Sequence, residues 1–147
     1  MSYKKFSLML LISFMIMYAV MFLNITQVDY FYVSTTRIYM ALLMISPMAV
    51  VMMLMMGKMY PNKKVNTGII VSAIVIFIIT LAGLRTQTPI GDVQYMKAMI
   101  PHHSSAILTS ENANIKDPEV RKLADGIIEA QKREIAEMKA LIQKLRK

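Results

Sequence analysis

The chain has two histidines, His102 and His103, side by side in "MKAMIPHHSSAI" (Met96–Ile107), and no cysteine. Imidazole binds copper, zinc, iron and nickel, whereas a thioether selects the soft Cu(I) ion. Met99 lies three residues before His102 and four before His103, so on a helix it neighbours either ring. Adjacent histidines point about 100° apart on a helix. Pro101 has no N–H to offer the carbonyl four residues back, and the resulting distortion helps both rings approach one ion. Downstream, "DPEVRKLADGIIEAQKREIAEMKALI" (Asp117–Ile142) carries Gln131, Glu134 and Met138 at steps of three and four. The candidate ligands are His102, His103, Met99, Met138 and Glu134, with Met96 and Gln131 beside them. Copper suits this donor set first, and zinc is the other candidate. A buried His103–Glu134 pair that only fixes the pairing of two helices accounts for the same residues without a metal.

Other chemistries are poorly served. A di-iron carboxylate site needs Glu-x-x-His on a helix, and no acid stands three residues before either histidine. Ser104 and Ser105 lie too close to the histidines in sequence to form a nucleophile–base pair, and no third triad member is evident. The expectation is a binding protein and not an enzyme.

Two helices must position these groups. The first runs from Asp92 to Asn112 or Ala113. The second starts with Asp117 as cap, Pro118 at the first helical position and Glu119 in the first turn, all suited to a helix N-terminus. It continues to about Leu145 and closes on Lys144, Arg146 and Lys147, where cations suit the dipole. The seam of the second helix reads Val120, Ala124, Ile127, Gln131, Glu134, Met138, Leu141 and Leu145, widened by Leu123, Ile128, Ile135 and Ile142. The first helix answers with Met96, Met99, His103, Ala106, Ser110 and Ala113, with His102 at the edge. In an antiparallel hairpin the polar middles of the two seams meet.

The first half of the chain is a different material. Mean hydropathy is +0.47 over 147 residues, and 13 of the 16 methionines precede residue 60, whereas eight of the nine carboxylates follow residue 85. Three runs, 6–23, 38–56 and 65–84, carry no charge and match the roughly 20 residues that a bilayer crossing takes. The first has no small-x-small cleavage site after it, so it reads as a retained anchor. Lys4 and Lys5 precede the first run and Lys58, Lys63 and Lys64 lie between the second and third, against only Arg37, with Asp29 nearby, between the first and second, which puts the N-terminus in the cytoplasm and the tail outside the cell membrane. The organisation is then a membrane domain over 1–84, a linker over 85–91 ("RTQTPIG") and a two-helix domain over 92–147. Met40, Met44, Met48, Met52, Met55 and Met59 fall on one face of the second run. They read as lipid-facing or packing residues, since no ionisable group within the spans marks a transport path. The net charge of +8 splits between membrane flanks and a helix face that alternates with acids, so nucleic acid is not an expected partner.

The two quoted segments together resemble the domain of unknown function family 305, a ferritin-like helical family with a Met-x-x-His-His segment and a downstream Gln-x-x-Glu-Ile-x-x-Met segment. Met99, His102, His103, Ala106 and Ile107 fit the first; Asp117, Leu123, Ala124, Ile127, Gln131, Glu134, Ile135 and Met138 fit the second. The resemblance covers about Val93 to Leu145, and Thr109–Ser110 stand where the family usually carries Met-Ala. It implies half of a four-helix bundle and copper binding outside the cytoplasm, for storage, resistance or handover to a metal-handling protein. The overall expectation is all-α: three transmembrane helices and an extracytoplasmic αα-hairpin. A hairpin this small buries little core, so two tails are expected to pair as a homodimer, unless the hairpin lies on the bilayer surface. The competing function is a membrane-anchored helical interaction module without metal.

Overall fold

A computed structural model describes residues 2–145, all-helical with no strand among the described residues: α1 Tyr3–Val20, α2 Thr35–Met56, α3 Lys63–Thr86, α4 Asp92–Asn112 and α5 Pro118–Leu145. Arg146 and Lys147, assigned by sequence to the end of the last helix, lie outside the described residues. The chain divides into two compact units, and the division is not collinear with the sequence: residues 22–35 join residues 90–147, while 1–21 and 36–89 form the other unit.

The first unit holds α1, α2 and α3, each long and apolar enough to cross a membrane. Their surfaces fit that role better than they fit water. Leu11, Ile16, Leu54 and Ile79 are 59%, 57%, 69% and 65% exposed, and apolar surface on this scale is consistent with a membrane protein. In the methionine stripe of α2, Met48 and Met52 are half-buried. Met40, Met44, Met55 and Met59 are exposed, and only Met53, off the stripe, is fully buried, with Phe6 and Tyr60. At that end the Tyr3 hydroxyl donates to Asn66 Oδ1 (2.8 Å), and the Asn62 side chain caps α3 by accepting from the Lys64 and Val65 amides. These contacts gather Lys4, Lys5, Lys58, Lys63 and Lys64 at one end, all exposed, in a unit that contains no carboxylate. At the other end Gly83 lets α3 approach the Tyr39 ring; a Cβ there would sit 3.2 Å from it.

The second unit is the α4–α5 hairpin with residues 22–35 laid against it. Asp117 caps α5 by accepting from the Glu119 and Val120 amides at 2.9 and 3.0 Å. Arg121 reaches back to the Ser110 carbonyl at the end of α4. Met96, Ile100, Ile107, Ile135 and Ile142 form the core, with Ile128, Met138, Tyr30 and Tyr32 packed on it. The seam therefore differs from the one expected. α5 turns Ala124, Ile128, Ile135 and Ile142 inward and leaves Val120, Leu123, Leu141 and Leu145 exposed, while α4 contributes Ile100 and Ile107 where Met99 and Ala106 were expected. The branched isoleucines decide this rotation, because the stripe that buries them removes more apolar area from water.

Candidate functional site

α4 runs unbroken through Pro101 and carries His103 on its buried side, 7% exposed. His103 Nδ1 lies 2.9 Å from the Met99 carbonyl one turn back. A carbonyl oxygen only accepts, so Nδ1 carries the hydrogen and donates. That fixes the ring and directs Nε2 at α5, where Glu134 Oε2 lies 2.7 Å away. A neutral ring of this tautomer and an ionised carboxylate would face each other as two acceptors. A hydrogen on Nε2, or a metal ion held by Nε2 and Oε2 together, satisfies this close approach. A ring nitrogen held by a backbone carbonyl is also how proteins orient histidine ligands. Glu134 keeps 44% of its side chain exposed, so the pair sits at the edge of the seam and is reachable from solvent.

The other candidates are distributed around this pair. His102 is exposed, its ring centre 6.2 Å from that of His103 and turned 73° to it, so the structure does not bring both rings onto Glu134. Met99 meets His103 through its carbonyl, and its side chain is half-buried. Met96 is buried in the core, and it shares a groove with Met138, Tyr95 and Leu141. Gln131 is half-buried beside Leu123, Ile127 and Ala130. Among the described residues no three His, Cys, Asp or Glu side chains converge. Imidazole and carboxylate thus meet directly, with thioethers on neighbouring turns of both helices.

Residues 22–35, assigned by sequence to the membrane domain over 1–84, pack instead with the hairpin and bear on the site. Ser104, next to His103 and fully buried, accepts from the Thr26 amide at 2.7 Å and lies 3.0 Å from the Thr26 hydroxyl. Asn24 donates to Ser105 (2.8 Å), Gln94 accepts from the Thr35 amide (3.1 Å), and Lys139 donates to Asp29 while its ammonium stands 5.2 Å from the centre of the Tyr30 ring. The segment straps the hairpin, bonding α4 through Ser104, Ser105 and Gln94 and α5 through Lys139. Its signal in the sequence was "YFY" (Tyr30–Tyr32), too aromatic for a free connection.

The fold and site define a three-helix apolar unit joined to a strapped helical hairpin with a His–Glu pair. Residues 81–147 match the family described as Domain of unknown function (DUF305). The chain is also 41% identical over 106 residues to "Uncharacterized protein L153" of Acanthamoeba polyphaga mimivirus, covering 71% of this chain and 68% of the viral one. That match is longer than residues 81–147, so the likeness extends into the apolar helices. The chain belongs to the DUF305 family. No solved structure matches it.

Proposed function

We propose that this protein is a membrane-anchored metal-binding module that holds a soft ion, copper first, outside the cytoplasm for storage, resistance or handover. The observation that carries the reading is the placement of the His103 ring, with Nδ1 2.9 Å from the Met99 carbonyl and Nε2 2.7 Å from a solvent-reachable carboxylate. In type, the donors fit copper: imidazole, carboxylate and the thioethers of Met99 and Met138 one turn away on each helix. When bound, the ion would supply a positive charge shared by Nε2 and Oε2. His103 and Glu134 would hold it, and His102 would be dispensable. The ring of five lysines on a carboxylate-free unit supports a cytoplasmic N-terminus. Residues 22–35 and the tail would then share the outer side, as three crossings require.

The second reading is a metal-free helix clamp, favoured because both nitrogens of His103 already find partners inside the hairpin. Competition for Cu(I) between a chelator and the full chain in mild detergent separates the two. His103→Ala is expected to lower affinity at least tenfold and His102→Ala to change it little. Equal binding by the unmodified chain and the double alanine variant leaves only the clamp.

A further inference from the structure

α5 carries two apolar stripes, and α4 covers one. The inner stripe is Ala124, Ile128, Ile135 and Ile142; the outer runs through Val120, Leu123, Ile127, Ala130, Glu134, Met138, Leu141 and Leu145 at steps of three and four. At about 100° per residue the stripes lie roughly 80° apart. Val120, Leu123, Leu141 and Leu145 are 48%, 65%, 47% and 52% exposed.

We propose that the outer stripe pairs with the same stripe of a second copy of this chain, antiparallel, about a two-fold axis near residues 132–133. An isologous interface must be self-complementary, and this stripe reads alike in both directions. Val120, Leu123 and Ile127 on one side of a middle formed by Ala130, Gln131 and Glu134 answer Met138, Leu141 and Leu145 on the other, so Val120 meets Leu145, Leu123 meets Leu141 and Ile127 meets Met138. Charge selects the direction. Glu119 lies in the first turn of α5 and Lys144 in the last; antiparallel pairing sets each against its opposite, whereas parallel pairing sets like on like. The middle is also satisfied. Glu134 gives Oε2 to His103, and the crossing brings the second copy's Gln131 amide to the remaining carboxylate oxygen. Each copy thus completes the polar site of the other. The pairing depends on the stripe and the pair, not on a metal.

The chain has no cysteine, so crosslinking is clean. Leu123→Cys/Leu141→Cys in the full chain, oxidised in membranes, is expected to run as a covalent dimer. The two positions are about 27 Å apart along one helix, too far for an internal disulfide. Leu123→Cys alone should stay uncrosslinked. Leu123→Glu/Leu141→Glu should reduce the mass in mild detergent from dimer to monomer with unchanged helical circular dichroism. A monomeric mass for the unmodified chain, with no crosslink in the double variant, overturns the proposal in favour of a membrane-docked or hetero-partnered stripe. A crosslink through Leu123→Cys alone overturns the antiparallel arrangement.

Discussion

His103 and Glu134 do not contribute symmetrically. The imidazole is buried and the carboxylate is half in solvent, so deleting the acid strands a buried nitrogen, at a cost of about 1–3 kcal/mol. Glu134→Ala is expected to lower stability by that amount in thermal unfolding of the detergent-solubilised chain. Glu134→Gln keeps a partner, because its amide donates to Nε2, and is expected to unfold near the unmodified chain while losing the anionic ligand. His102→Ala, at an exposed position, should change stability by no more than about 0.5 kcal/mol. The His103–Glu134 pairing was legible in sequence because both residues fall mid-helix in a hairpin with a short loop. The distortion at Pro101 expected to bring His102 to the same ion does not occur: α4 continues through it, and the His102 ring keeps the direction that the helical repeat gives it. The bond from the Thr26 amide to Ser104 was not legible: it joins positions 78 residues apart, and neither residue is unusual alone.

At the scale of elements, the boundaries of α4 and α5 could be read because Asp117, Pro118 and Glu119 announce a helix start. The rotation of α5 could not. Its stripes are both apolar, and only packing against Ile100 and Ile107 chooses between them. The choice is measurable. Ile135→Ala, at a fully buried site, is expected to cost about 2–5 kcal/mol at any protein concentration, whereas the cost of Leu123→Ala, on the stripe proposed to pair two copies, is expected to be smaller and to depend on protein concentration; equal, concentration-independent losses would restore the seam read from sequence. The strap has its own signature. The hydrogen bond to Asp29 holds the Lys139 ammonium above the ordinary lysine value of 10.5, against a smaller opposing effect of desolvation. A pKa raised by folding stabilises fully below the unfolded value and is lost as pH climbs through the folded one. Amide exchange in residues 22–35 should therefore not change through this pair between pH 6 and 9, and it should accelerate above the ordinary lysine value. The pair is largely exposed, so it contributes about 1 kcal/mol or less. Asp29→Asn should loosen the strap modestly, and less so in high salt.

Over the whole molecule, the apolar half and the charged half were visible in composition alone, and the three apolar helices fall where the uncharged runs do. What composition hid is that the second unit takes its parts from both sides of α2 and α3. The proposed topology has a direct check. Accessibility tags at Gln27 and after Leu145 are expected to label from outside, and one at Asn62 only from the cytoplasm. A tail that labels from the cytoplasm overturns both the orientation and the metal reading built on it.

The strap also sets an order of events. Residues 22–35 leave the ribosome long before Lys139, their partner 110 positions later, and the proposed topology exports them on their own. They must then wait, aromatic and unpartnered, until α3 has threaded and the tail has followed. A chain that mis-inserts either intervening helix strands strap and hairpin in different compartments, where the unit cannot close. Under the proposed topology, completion of the second unit would act as a built-in audit of insertion, since only correctly threaded chains would cover Tyr30, Tyr32 and Ser104 and withdraw them from proteases and chaperones.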